Sequence, residues 1–210
     1  MLENPVKNIK HKERSALFPN VFPNTLSTII FYVLTYGMLF MELNVIFRRR
    51  KGAEKKDRGS LRVMLITIFL AFFVMNFLLR NGFGLLPHNY HWISYIGFAI
   101  VIAGLTFRWY SIAVLGKYFT GVVMIQEGHK IIKKGPYKIL RHPSYTGGII
   151  AFLGVAIATN DWITLLVFLI ALWVSYGYRM IIEEPALIEQ FGDEYRNYQK
   201  ETWRIVPFVY

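Results

Sequence analysis

Hydrophobic positions in this chain run together rather than recurring on one helical face. Five apolar runs stand out, at residues 26–47, 61–79, 92–115, 145–158 and 162–182. A water-soluble helical protein would carry polar stripes at a 3.6-residue period. These runs are apolar on nearly every face, and most approach the ~20 residues, at about 1.5 Å each, that cross a bilayer. Only Asn160 and Asp161 separate the fourth run, the shortest, from the fifth, which predicts a tight helical hairpin. The pattern predicts an all-α integral membrane protein of about five transmembrane helices, in one domain over 1–210. A segment of 1–25 leads in, helices 1–3 occupy 26–115, and the remaining 116–210 hold the other two helices and a different kind of tail. That tail is amphipathic and aromatic-rich, with Gly192-Asp193 as a stop and restart. It is expected to lie along the membrane surface or to fold back as a lid.

Charge then sets a topology. Arg48, Arg49, Arg50, Lys51, Lys55, Lys56, Arg58 and Arg62 gather between helices 1 and 2. Lys117, Lys130, Lys133, Lys134, Lys138 and Arg141 gather between helices 3 and 4. The second connection has only Arg80, and the hairpin has neither Lys nor Arg. Cytoplasmic loops carry the excess of Lys and Arg, so the pattern places the N-terminus outside and the tail in the cytoplasm. The formal net charge of +11 is then a topology and anionic-lipid signal. It sits at membrane flanks, which argues against nucleic acid as a partner. The absence of cysteine excludes disulfides and thiolate metal sites. The first twenty residues lack the apolar stretch of a secretory signal. His88 and His91 have no third ligand nearby in the sequence, so no metal is expected.

Few ionisable groups enter the apolar runs: Glu42, Arg108 and Arg179, followed by Glu183 and Glu184. Such a group costs roughly 2.5–3.5 kcal/mol at the bilayer centre on insertion scales, so each needs a reason. Glu42 and Arg108 read most simply as a helix–helix ion pair. With helices 1, 3 and 5 parallel, all these residues fall near the cytoplasmic ends, level with the polar stretch GPYKILRHPSY at 135–145. That shared depth suggests a site reached from the cytosol and the inner leaflet. Arg179 and Glu183 share a helical face, with Tyr176 and Met180 on or near it. Gly135-Pro136 is a turn signal, and Pro143 suits a first helical turn. His142 then falls at the N-cap, and the helix start is a candidate anion seat. Pro185 disfavours helical geometry at Glu184 and predicts a bend.

GPYKILRHPSYTGG, one helical hairpin, and then RMIIEEPALIEQFGDEYRNYQKE resembles the isoprenylcysteine carboxyl methyltransferase family. The related membrane phospholipid methyltransferases look similar in the same places. The resemblance covers about the last 90 residues, and its specificity lies in the combination of motifs. It implies S-adenosylmethionine as methyl donor, with S-adenosylhomocysteine as product, and makes 116–210 the donor-binding and catalytic region. It also implies a lipid-like or prenylated acceptor from the inner leaflet. Carried over residue by residue, it points to His129, Lys130, Ile131, Ile132, Tyr137, His142, Pro143, Ser144, Tyr145 and Glu183 at the donor. Gln126, or Met124, would supply an upstream contact. Arg179 would face an acceptor carboxylate, with Tyr176 and Arg108 beside it. Arg179, Glu183 and Glu184 are the candidate catalytic residues. An amine or phenolic lipid is the alternative acceptor, and a small transporter or lipid-binding scaffold the alternative of another class.

Overall fold

The structure is a computed structural model that describes residues 21–22, 24–47, 54–55, 57, 59–87, 90–119, 124–125 and 130–207. Five helices follow the five apolar runs: α1 (Thr25–Phe47), α2 (Ser60–Asn81), α3 (Trp92–Leu115), α4 (Pro143–Ala158) and α5 (Trp162–Phe191). A sixth, α6 (Asp193–Glu201), lies in the tail. The helices α1, α2, α3 and α5 are long and apolar enough to cross a membrane; α4, at 16 residues, is shorter. Large apolar side chains point away from the bundle, among them Phe40 at 69% exposure, Phe69 at 70% and Trp173 at 74%. Apolar surface on that scale belongs against lipid, and the protein is an integral, multi-pass membrane protein.

Small residues decide how the helices pair. The tightest contact is α3 against α4. Gly97 and Gly104 lie seven residues apart on α3, as do Gly147 and Gly154 on α4. A Cβ at Gly104 would stand 2.4 Å from the backbone N of Ala151, and one at Gly147 2.6 Å from that of Arg108. Helices in lipid gain by such close backbone approach, because no hydrophobic effect drives them together there. The second close pair is α2 against α5.

The hairpin forms at Asn160 and Asp161. Asn160 takes a left-handed φ of 54°, which asparagine tolerates better than most residues. The Asp161 carboxylate accepts the Thr164 N–H at 2.6 Å, capping α5. At the other end of the bundle, Glu54–Lys55 (β1) pairs antiparallel with Met124–Ile125 (β2). This short ladder ties the two basic connections together.

The expectation that Pro185 disfavours helical geometry at Glu184 fails, since Glu184 lies inside a helix that runs from Trp162 to Phe191. Proline removes one backbone hydrogen bond. Glu184, just before it, is anchored by the ion cluster described below, and Ala186 after it is buried. The stop comes instead at Gly192, with φ 57°.

Candidate functional site

The site forms where the ends of α1, α3 and α5 meet the start of α4. Gly135–Lys138 makes a single 3-10 turn, and α4 begins at Pro143 with His142 as N-cap, as the sequence predicts. Tyr137, His142, Pro143, Ser144 and Tyr145 are all buried. The His142 and Tyr145 rings stack, with centroids 5.2 Å apart and planes 5° apart, and Tyr176 tilts against Tyr145 at 5.2 Å. Burial and then the Glu183 charge push the Tyr137 phenol well above the ordinary value. It stays protonated and neutral.

Arg179 and Glu183 share a face of α5, but a third group joins them. The Tyr145 hydroxyl donates to Glu183 Oε2 at 2.5 Å and accepts from Arg179 Nε at 3.2 Å. The Arg179 guanidinium also lies over the Tyr145 ring, 5.7 Å from its centroid. A buried cation and a half-buried carboxylate are thus coupled through one phenol, which fixes both.

The Arg108 guanidinium grips Glu42 through Nε and Nη2, both at 2.5 Å, and donates through Nη1 to the Ser144 carbonyl at 2.7 Å. All three nitrogens are engaged in the protein, so Arg108 fastens α1 to the start of α4. The predicted ion pair with Glu42 is present.

Glu184 turns to different partners from Glu183. Oε1 receives Arg141 Nε at 3.0 Å and lies 3.3 Å from His142 Nε2; Oε2 receives Arg204 at 2.9 and 3.1 Å and Gln199 at 3.3 Å. Two guanidiniums occupy a carboxylate expected to act in catalysis. Glu184 is placed as the buckle of the tail. Around it the tail folds back: the Arg141 N–H donates to the Trp203 carbonyl at 2.7 Å and the Trp203 N–H to the Ile139 carbonyl at 2.9 Å. The Tyr198 hydroxyl donates to the Tyr137 carbonyl at 2.7 Å, and Thr146 donates to the Ile205 carbonyl at 2.7 Å. The tail therefore folds back, as one of the two expectations for it had it, onto the start of α4. The anion seat fares less well, because the tail's Arg204 carbonyl takes the His142 N–H and the His142 carbonyl takes those of Tyr145 and Thr146.

Lys130, Ile131 and Ile132 lie in the irregular stretch entering the 3-10 turn, with Lys130 exposed. Gln126 and His129 lie outside the described residues, as do Arg48, Arg49, Arg50, Lys51, Lys56, Arg58 and His88. Sequence reasoning missed Arg204, and missed Asp57, whose Oδ1 stands 3.9 Å from Arg179 Nη1.

Between α1 and α2 opens an apolar fissure of about 350 Å³. Its lining runs from Phe31, Tyr32 and Met75 at one end to Met64, Glu42 and Tyr176 at the other. The second end borders the charged cluster.

Fold and site together define an all-helical integral membrane protein whose tail folds over a buried polar cluster where its helices end. Residues 95–189 match the model of the isoprenylcysteine carboxyl methyltransferase (ICMT) family, so the resemblance carried by the motifs above is shown. A probable protein-S-isoprenylcysteine O-methyltransferase of Oryza sativa subsp. indica is 32% identical over 123 residues, 58% of this chain and 64% of that protein. Protein-S-isoprenylcysteine O-methyltransferase B of Arabidopsis thaliana is 34% identical over 120 residues, 56% and 61% respectively. The matches thus span less than two thirds of these relatives. In fold, the likeness reaches 92% of this chain and 71% of the structure of a eukaryotic intramembrane Ras methyltransferase, ICMT, at 20% identity and a TM-score of 0.63.

Proposed function

We propose that this protein is an integral membrane methyltransferase that uses S-adenosylmethionine to O-methylate the carboxylate of an isoprenylcysteine-like lipid. The observation that carries the reading is the buried Arg179–Tyr145–Glu183 chain beside the inner end of an apolar fissure. An apolar tail can lie between α1 and α2 while its polar end meets Arg179.

The residues suit the donor. When bound, S-adenosylmethionine supplies a methyl group already activated on a sulfonium. The Tyr145 and Tyr176 rings offer aromatic faces, each worth roughly 0.5–2 kcal/mol to a nearby cation, with the His142 ring stacked on the first. Glu183, its side chain 27% exposed, keeps oxygen lone pairs for the donor's hydroxyls or ammonium. Tyr137 and His142 complete that wall, with Lys130, Ile131 and Ile132 leading into it; Gln126 and His129 join the donor contacts by the resemblance alone.

The acceptor follows from what the site needs. A C-terminal carboxylate has a pKa of about 3.3–3.7 and is ionised at neutral pH, so its methylation moves no proton. It requires orientation, which contributes through proximity, and a guanidinium offers a planar fork for that purpose. An amine or phenol would require a base. Glu184, the nearest candidate besides Glu183, is held by Arg141 and Arg204. By the distribution of Lys and Arg, the pocket and tail face the cytoplasm and the N-terminus lies outside.

The test is transfer of labelled methyl to prenylcysteine analogues and lipid extracts, read by mass spectrometry. Arg179→Ala should lower kcat/KM on a carboxylate acceptor by at least ~30-fold, about 2 kcal/mol, the lower end for losing a buried charged partner. Arg179→Lys should recover only part of it. Full activity in Arg179→Ala would rule out the carboxylate.

A further inference from the structure

Asp57 belongs to the connection between α1 and α2, outside residues 95–189 that match the family. It is 2% exposed. The Ser60 hydroxyl donates to its Oδ1 at 2.7 Å, the Leu61 N–H to its Oδ2 at 3.3 Å, and the Ser60 N–H to its carbonyl at 2.8 Å. These bonds cap α2 and fix the carboxylate. So held, Oδ1 stands 3.9 Å from Arg179 Nη1. That is ion-pair distance, yet too long for a hydrogen bond. Asp57 faces the guanidinium without clasping it, while Nε of the same group is given to Tyr145.

The surrounding charges make this separation consequential. Glu42 and Arg108 satisfy each other, and Glu184 is matched by Arg141 and Arg204. Among the described carboxylates, Asp57 flanks Arg179 on one side and, across the Tyr145 hydroxyl, Glu183 on the other. A carboxylate arriving at Nη1 would meet a guanidinium that already has a fixed carboxylate within 4 Å. Like charges at such range repel.

We infer that Asp57 sets acceptor specificity by acting through Arg179. It balances the buried guanidinium while no acceptor is present and competes with the acceptor's carboxylate when one arrives. The inference rests on the carboxylate reading above. Its consequence is a site that holds its charged substrate less tightly than Arg179 alone would. Methylation turns the acceptor into a neutral ester, and Asp57 is then the stronger partner for Arg179, which favours release. A cationic amine acceptor would reverse the sign, since Asp57 would attract it.

The test compares the full-length wild type with Asp57→Asn, Asp57→Ser and Ser60→Ala in lipid nanodiscs. The readouts are steady-state kinetics on a prenylcysteine carboxylate, S-adenosylhomocysteine affinity and thermal unfolding. Asn keeps one oxygen for the Leu61 N–H and can donate its amide to the Ser60 hydroxyl, and Ser keeps a hydroxyl cap; neither keeps the charge. Ser60→Ala weakens the cap and keeps the charge. Both Asp57 variants should lower the acceptor KM about tenfold and lower kcat through slower ester release. Their S-adenosylhomocysteine affinity should stay within about twofold, and Ser60→Ala should leave KM unchanged. A merely structural Asp57 would shift the unfolding midpoint in all three variants without moving KM. An unchanged or raised KM in folded Asp57 variants overturns the inference and leaves the carboxylate reading standing. A wild type that binds S-adenosylhomocysteine yet methylates no carboxylate removes both.

Discussion

Tyr145 does three things with one side chain: its ring stacks on His142, its hydroxyl donates a hydrogen bond to Glu183, and its oxygen accepts one from Arg179. Tyr145→Phe keeps the ring and breaks the bridge. It should weaken S-adenosylhomocysteine binding about tenfold, roughly the net worth of one hydrogen bond to a charged group, with little loss of thermal stability. Isothermal titration beside an unfolding scan separates the two. Glu184 behaves oppositely. Removing one partner from a buried ion cluster costs about 3–5 kcal/mol, so Glu184→Ala should show a large drop in unfolding temperature. A normal melting curve would mean the cluster does not hold the tail. Residues were legible in the sequence where their partners are local. Arg179 and Glu183 share a helical face and could be paired by counting. Asp57 could not, for it is an acid inside a basic connection and meets Arg179 across more than a hundred residues. Arg204 was hidden because only the fold-back of the tail brings it to Glu184, 20 residues earlier.

At the level of helices, length and hydropathy sufficed. The structural helices α1 to α4 begin and end within two residues of the apolar runs, because lipid leaves the chain little choice but helix. The fifth run stopped short at 182, since Glu183, Glu184 and Pro185 looked like an exit. The helix carries nine residues further, and a side-chain cluster that no periodicity announces makes that extension stable. Pairing was not legible either, as the small residues seven apart were visible but their mates were not. That packing makes its own forecast. Gly104→Ala would drive a methyl to 2.4 Å from the Ala151 backbone, and the protein should lose stability or fail to accumulate. Gly37→Ala on α1 meets nothing within 4 Å and should be neutral or slightly stabilising, since alanine favours helix over glycine by up to ~1 kcal/mol. Thermal unfolding in one detergent compares the two directly.

For the whole molecule, the alternation of helices puts both basic connections and the tail at one end, where β1 and β2 join. Which side of the membrane this end faces rests on charge asymmetry. A chain without cysteine suits the measurement, because any introduced thiol is unique. Lys200→Cys should react with a membrane-impermeant maleimide only from the cytoplasmic side, and Asn81→Cys only from the opposite side. The reverse pattern would invert the topology. The folded-back tail bears on how the protein is made. Its residues leave the ribosome after every membrane helix, yet they supply the bonds that close over the start of α4. A chain released at Phe191 would have its helices inserted and the start of α4 uncovered. On the function proposed above, donor binding would wait for the tail, and competence would arrive in one late step.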